Sequence, residues 1–288
     1  TTERANAVLV TLARPTDLAS LLRTLTRFES AFNARKNYPY LIFANNPLPA
    51  SFRRAVIDHL ANLGASPVDF ATIPADHWST PSWIDAWRAR VGRMGAFMRL
   101  NVPHGGNESY QRMCRWFSGF FFKHEKMLKY DWFWRIDSDV EYLCEIPSDP
   151  FLSMSASSQK YGFNIIAKEI MSTIPSLSAT VIDFLRFKGI SHIPPVLAAF
   201  WDEKSNVYDG GHFWSNFEIG DLRWFRSVEY GEFFDFLDRA GGFFYERWGD
   251  APVHTLAAGV LLKPSELRYF GETGYRHENR LQCPIGAP

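Results

Sequence analysis

Three apolar runs of strand length fall in the first quarter of the chain: 5–13 (ANAVLVTLA), 38–45 (YPYLIFAN) and 68–74 (VDFATIP). Between the first two, Leu18, Leu21, Leu22, Leu25 and Phe28 recur at helical intervals, with Thr16 or Asp17 ahead of them as a cap. After the break NNPLP, the stretch SFRRAVIDHLANLG reads as a second helix, closed by Gly64. Near-continuous apolar strands need cover on both faces, and parallel neighbours need crossover connections. Strand, helix, strand, helix, strand in that order therefore predicts an α/β fold, a parallel sheet with helices on both sides.

Farther along, 75–107 reads as irregular, with Trp78, Trp83, Trp87 and a Gly-rich HGGN. A long helical face is expected next, lined by Tyr110, Met113, Cys114, Phe117, Phe120, Phe121 and Leu128. DWFWRI (131–136) is a fourth strand, and it runs straight into Asp137-Ser138-Asp139. Open α/β sheets bind ligands beyond the carboxyl ends of their strands, so both aspartates fall where such a fold places chemistry. The second half is less regular: YGFNII (161–166) is a strand, and PSLSATVIDFLRF, VEYGEFFDFLDRAG and APVHTLAAGVLL are helices. No repeat, low-complexity tract or long linker divides the chain, so one domain over 1–288 is expected.

Composition excludes several classes. The 31 basic and 31 acidic residues balance, which leaves no electrostatic footprint for nucleic acid or an anionic membrane. No run of apolar residues is long enough to span a bilayer. The three cysteines form no C-x-x-C and allow at most one disulfide within the chain. Aromatic residues make up 16%, most of them expected in the core, although some could stack on sugar rings. The sequence starts without Met or a signal-like segment, as expected of a mature or trimmed chain.

Candidate chemistry rests on carboxylates. In an extended or tightly turned segment, residues i and i+2 can face one way, so Asp137 and Asp139 would offer hard oxygens to one point. That suits Mn²⁺ or Mg²⁺ bridging protein to substrate phosphates, although a bare D-x-D is more often an acidic turn. Glu218 lies among Phe and Trp residues in HFWSNFEIGDLRWFR, where the bland alternative is an ion pair with Arg223 or Arg226. Glu246 and Asp250 lie in GGFFYERWGDAPVH, where Asp250 could serve as a helix cap. The eight histidines show no metal-binding spacing, so His277 is structural or exposed on its own pattern.

Four stretches carry a resemblance: ESYQRMCRWFSGFFFKHE, YDWFWRIDSDVEYLCEI, YDGGHFWSNFEIGDLRWFRS and GGFFYERWGDAPVHTLAAGVLL. They closely resemble the fungal Golgi α-1,2-mannosyltransferases of glycosyltransferase family 15, with likeness over about 5–284. The resemblance implies a GT-A type fold: a Rossmann-like, mostly parallel sheet flanked by helices, with an acceptor-binding half. About 5–140 would bind the nucleotide sugar, and about 141–288 would bind the acceptor and complete the catalytic site. It implies GDP-mannose as donor, Mn²⁺ as cofactor (Mg²⁺ an alternative), and a mannosylated glycan or glycoprotein as acceptor. It also implies retention of configuration, a Golgi lumenal location, and a type II membrane protein whose N-terminal anchor is absent from this chain.

Matched residue by residue, the family's acidic metal-site tripeptide falls on Asp137-Ser138-Asp139, and His277 falls on a metal ligand. The usual Glu-Pro-Asp is altered here, which leaves open which carboxylate touches the ion. Arg14 and Tyr110 match donor contacts, Glu218 matches the carboxylate proposed as nucleophile, and Arg135, Trp214 and Asp250 match acceptor-side residues. Of these, Glu218 and Asp250 are the expected catalytic groups: Glu218 beneath the reacting sugar, as nucleophile or fixed charge, and Asp250 at the acceptor hydroxyl. The family's common GGSESY is GGNESY here, which creates a sequon at Asn107; a glycan there would crowd the donor site, and none is expected. Many members continue beyond QCP with a Cys-containing tail, so disulfides anchored in such a tail are not expected. The rival readings are a glycoside hydrolase, which needs neither cation nor nucleotide, and an inactive sugar-binding module on a related scaffold.

Overall fold

The computed structural model describes residues 4–64, 66–98, 102–202 and 204–284. We number the seven strands of its central sheet and its seven helices of eleven or more residues. The strands are β1 (Ala7–Leu12), β2 (Tyr40–Ala44), β3 (Val68–Thr72), β4 (Trp132–Ile136), β5 (Tyr161–Phe163), β6 (Phe217–Asp221) and β7 (Leu267–Tyr269). The helices are α1 (Leu18–Phe28), α2 (Ala50–Asn62), α3 (Ala86–Met98), α4 (Glu108–Gly119), α5 (Leu177–Phe187), α6 (Val228–Ala240) and α7 (Asp250–Leu261).

The sheet order is β7-β5-β6-β4-β1-β2-β3. The first half is parallel throughout, as its alternating pattern predicts. The second half departs from that, because β6 runs antiparallel to both β4 and β5. This orientation puts the start of β6 beside the end of β4, with Phe217 opposite Ile136 and Glu218 opposite Arg135.

Alternation along each strand splits the core into two layers. Val8, Val10, Leu41, Phe43 and Phe133 face one side, under Phe117, Phe234 and Leu256 of α4, α6 and α7. Leu9, Ile42, Trp132, Trp134 and Ile136 face the other, under Leu21, Leu25 and Phe28 of α1 and Phe52, Val56 and Leu60 of α2. Arg135 and Glu218 therefore project with Phe133 into the layer beneath α4 and α7. Both are buried there, at 6% and 0% exposed.

Several sequence expectations change. The stretch 75–107 is not irregular, since it holds a turn of helix at Ala75–Trp78 and all of α3. Residues 99–101 within it lie outside the described residues. The expected helical face through Leu128 ends at Gly119, where a Cβ would lie 2.1 Å from the Phe234 ring. The chain continues in two short 3₁₀ turns, and Leu128 is exposed. YGFNII splits into β5 and a separate strand, Ile166–Lys168, which pairs with Gly211–Phe213. The three cysteines are free thiols.

The α4–α6 contact contains a buried ion pair. Arg115 donates from Nε and Nη2 to the two oxygens of Asp238, at 2.7 and 2.8 Å. Removing one member strands the other charge in the interior, which costs about 3–5 kcal/mol. Asp238→Ala is expected to lose stability on that scale, read as a lower urea midpoint with an unchanged slope.

Candidate active site

The end of β4 is tied to its neighbour: the Thr11 hydroxyl of β1 donates to the Ile136 carbonyl at 2.8 Å. Beyond it the chain turns through Asp137–Asp139 into a short strand, Glu141–Tyr142. A C-terminal hairpin, Tyr275–His277 with Arg280–Gln282, pairs onto that strand with Tyr275 opposite Tyr142. This pairing carries His277 from the far end of the sequence to the aspartates. Its Nε2 lies 3.2 Å from Asp139 Oδ1. On the other side of the ring, the Asn216 amide donates to Nδ1 at 2.6 Å, and Tyr275 donates its hydroxyl to Asn216 Oδ1 at 2.9 Å.

The two aspartates do not act as one. Asp137 turns back onto Arg135, which holds it with Nε at 2.8 Å and Nη2 at 3.2 Å. Only Asp139 pairs with His277, and its side chain is 59% exposed. Their titration separates accordingly. Burial pushes Asp137 up, despite the Arg135 charge. The hydrogen bond and charge of His277 hold Asp139 below the usual carboxylate range. Burial pulls His277 down, but Asp139 and the charges around it raise it overall.

Whether these residues suit a divalent cation is a question of donor chemistry. An exposed carboxylate and an imidazole nitrogen about one coordination span apart form a hard, mixed O/N pair of the kind Mn²⁺ accepts. Among the described residues no group of three or more His, Cys, Asp or Glu side chains is gathered. The pair therefore fits an ion that completes its shell with water and phosphate oxygens rather than an all-protein cage. Asp137, adjacent but already forked to Arg135, adds negative charge to the same corner.

Arg135 is the hub of the next layer. Its guanidinium lies 3.7 Å from the Phe117 ring centroid, and Nη1 donates to Asp250 Oδ2 at 2.6 Å. Ser215 donates to the same oxygen at 2.7 Å. Burial alone would push Asp250 up, but the Arg135 and His254 charges and the hydrogen bonds from Ser215 and Arg135 together hold it below its ordinary value. Asp250 is not the cap of α7: Gly249 occupies that position, and Asp250 is the first helical residue. One turn later, His254 faces the same layer and meets Glu218. Glu218 Oε1 accepts from the Tyr161 hydroxyl at 2.7 Å and lies 2.5 Å from His254 Nδ1. Glu218 does not pair with either predicted arginine. Arg223 pairs with Asp221, and Arg226 donates to the carbonyls of Phe122, Tyr130 and Met127. Glu246 is structural: it accepts from Trp248 Nε1 at 2.6 Å and from the Ser176 amide.

The donor-side candidates sit around the same strand ends. Arg14 follows β1, is 73% exposed and is held by Asp17 at 3.0 Å, within the field of Asp139. Tyr110 occupies the first turn of α4, where Asn107 Oδ1 accepts its amide at 3.1 Å. The sequon asparagine is thus the helix cap. The Tyr110 ring stacks on His104 at 4.4 Å, and Arg247 approaches its hydroxyl. Trp214 lies in the turn before β6, with its ring against His277 at 4.9 Å and beneath the Arg280 guanidinium at 5.2 Å. Trp214→Ala is expected to raise the acceptor KM several-fold while leaving nucleotide affinity close to normal, as steady-state kinetics and nucleotide titration would show.

Sequence reasoning missed His254, Ser215, Asn216, Tyr161 and Arg247. His254 had a usable signal, since it follows Asp250 by four residues in DAPVH and so shares its helical face. Ser215, Asn216 and Tyr161 become visible only once β6 is known to run antiparallel between β4 and β5, and Arg247 only through its bonds to Glu169 and Thr173.

Comparison with known proteins finds relatives over nearly the whole chain. A family model described as glycolipid 2-alpha-mannosyltransferase matches residues 1–287. The probable mannosyltransferase KTR3 of Saccharomyces cerevisiae is 39% identical over 284 residues, which is 98% of this chain and 69% of that protein. The O-glycoside alpha-1,2-mannosyltransferase homolog 2 of Schizosaccharomyces pombe is 40% identical over 288 residues, 98% of this chain and 75% of that protein. Among solved structures, core-mannan synthase A of Aspergillus fumigatus in its Mn/GDP form superposes with a TM-score of 0.92 at 33% identity, covering 98% of this chain and 77% of that one. The mannosyltransferase Ktr4p of Saccharomyces cerevisiae in complex with GDP gives 0.91 at 31%, covering 97% and 73%.

Proposed function

This chain belongs to the glycolipid 2-alpha-mannosyltransferase family, and we propose that it transfers mannose from GDP-mannose to a hydroxyl of an α-mannoside acceptor with retention of configuration. The observation that carries this reading is the Asp139–His277 pair at the carboxyl end of β4, within one residue layer of the Arg135–Asp250 and Glu218–His254 pairs. The A. fumigatus relative is described with Mn and GDP, and an Mn²⁺ ion held by Asp139 and His277 would supply charge neutralisation for a departing diphosphate. Asp137 remains a candidate only for adding charge at that corner. Family membership sets the hydrolase aside, and the intact carboxylates argue against an inactive binder.

Each protein group has a task in this scheme. Arg14 and the Tyr110 hydroxyl donate toward the diphosphate. As the bond to the diphosphate weakens, the sugar gains oxocarbenium character, and the Glu218 charge stabilises it. A covalent role requires Oε2 of the fully buried Glu218 to be uncovered by the bound donor, whereas an electrostatic role does not. Asp250 orients the acceptor hydroxyl, with Arg135 and Ser215 fixing the carboxylate in turn. Trp214 packs against the acceptor ring. The finer reading is an α-1,2 linkage made in N- or O-glycosylation, in the Golgi lumen, by a protein that is type II membrane-anchored at full length.

The test is product formation. With Mn²⁺, GDP-mannose and methyl α-mannoside, a dimannoside is expected whose new linkage is α-1,2 by NMR, and UDP-sugars are expected to give none. Hydrolysis of the donor without transfer to any mannoside in a panel would overturn the reading.

A further inference from the structure

His254 is a buried titratable group in direct contact with Glu218 that the scheme above leaves without a task. It lies on the face of α7 that carries Asp250, one turn away, and is fully buried. Its Nε2 is 3.1 Å from the Phe117 carbonyl. A carbonyl only accepts, so Nε2 carries a hydrogen. The ring's other nitrogen, Nδ1, is 2.5 Å from Glu218 Oε1. The proton in that short contact can sit on the imidazole or on the carboxyl. Two features favour the imidazole. Tyr161 donates to the same Oε1 at 2.7 Å, and an oxygen that accepts two donors is better served as carboxylate. Burial pulls His254 down, yet the Glu218 charge, its hydrogen bond and the Asp250 charge raise it above the ordinary imidazole value.

The same geometry divides the carboxylate in two. Oε1 holds both donors, while Oε2 is buried with no hydrogen-bond partner among the described residues. An unpartnered carboxylate oxygen is costly in the interior unless something else meets it.

We propose that His254 is a positioning residue for mannosyl transfer: its imidazolium keeps Glu218 ionised and locked through Oε1, which leaves Oε2 as the oxygen directed at the sugar. The inference rests on the reading that Glu218 acts on the reacting sugar, covalently or as a fixed charge. The His254 proton is not transferred in either case. It remains in the contact with Glu218 while the glycosidic bond to the diphosphate breaks and the bond to the acceptor oxygen forms. The acceptor's proton leaves by way of other groups.

Several elements pack on this pair; Cys114 of α4 and His212 of the strand Gly211–Phe213 lie in the field of Asp250, and the remaining charged and titratable groups act on the pair directly. They are Tyr161 of β5, Arg135 of β4, Asp250 of α7 and Tyr230 of α6. Arg135 is already forked to Asp137 and bonded to Asp250. That leaves His254 as the cation bonded directly to Glu218.

His254→Asn tests this, because the asparagine amide keeps a neutral donor near Nδ1 and removes the charge. A buried carboxylate without its cation favours the neutral form. Near neutral pH the variant is expected to lose transfer in the same way as Glu218→Gln but less severely, by about 100-fold in kcat, with GDP affinity within about twofold of wild type. Its acid limb should shift to higher pH, so that activity recovers as pH rises. Glu218→Gln should show no such recovery. The double variant should be no slower than Glu218→Gln alone, because both changes act through one group. A folded His254→Asn with a wild-type rate and acid limb, while Glu218→Gln is inactive, overturns the inference and spares the reading beneath it. An active Glu218→Gln overturns that reading instead, and the inference with it. Should the asparagine variant not fold, the unsubstituted chain reports by NMR. A strongly downfield imidazole N–H proton that persists through neutral pH and is lost in Glu218→Gln is expected, and its absence overturns the inference.

Discussion

Glu218→Gln is expected to bind GDP normally and to lose transfer by about 1000-fold or more. Glutamine keeps the shape of the side chain and can still accept from Tyr161, so the layer beneath α4 and α7 stays packed. What it lacks is the charge, at a fully buried carboxylate that keeps one oxygen without a partner among the described residues. An interaction made only in the transition state lowers kcat without weakening the ground-state complex, and that split is the signature sought. Initial rates with GDP-mannose and methyl α-mannoside, together with a GDP titration, measure it. Transfer within about tenfold of wild type would remove Glu218 from the reaction, since a tenfold change is only about 1.4 kcal/mol of barrier. Mass spectrometry of the chain incubated with donor alone separates its two possible roles, because only a covalent one adds a hexose to the peptide containing Glu218.

Asp139→Asn is expected to lower divalent-ion affinity by about 100-fold or more and to abolish ion-dependent GDP binding. The structure makes this prediction asymmetric. Asp139 is exposed, and among the described residues His277 is the one side chain bonded to it, so its loss removes a ligand. Asp137 is committed to Arg135, so Asp137→Asn releases the guanidinium that also holds Asp250. The second variant is therefore expected to retain most of its ion affinity and to lose activity through a misplaced acceptor side, seen as a larger change in acceptor KM. Calorimetric titration of GDP with and without Mn²⁺ for both variants distinguishes them. Equal losses of ion affinity would mean that both carboxylates bind the ion directly.

The first half of the fold was legible because its physics is local. Strands buried on both faces must be apolar almost throughout, and β1 and β2 meet that demand with AVLVTL and YLIFA. Leu21, Leu25 and Phe28 lie on one side of α1 for the same reason. The aspartates at the end of β4 were legible too, since strand ends are where this architecture exposes carboxylates. Helix α3 was missed because its outward face carries Trp87, Val91 and Met94, all exposed, which blurs any apolar–polar periodicity. The partner of Glu218 was misread because sequence proximity favoured Arg223 and Arg226, whereas the antiparallel placement of β6 turned Glu218 toward α7. His277 showed nothing on its own pattern. Its place depends on a hairpin laid onto two residues more than a hundred positions earlier, and only the resemblance singled it out.

The central claim is that Asp139 and His277 hold a divalent ion to which the donor's diphosphate is bound. Pulsed electron paramagnetic resonance on the Mn²⁺ complex with GDP reads this without reference to turnover. The account predicts that one manganese couples both to the nitrogen of a single imidazole and to the phosphorus of the diphosphate, with the nitrogen coupling lost in His277→Phe. Phosphorus coupling with no imidazole nitrogen in the unsubstituted protein would contradict it.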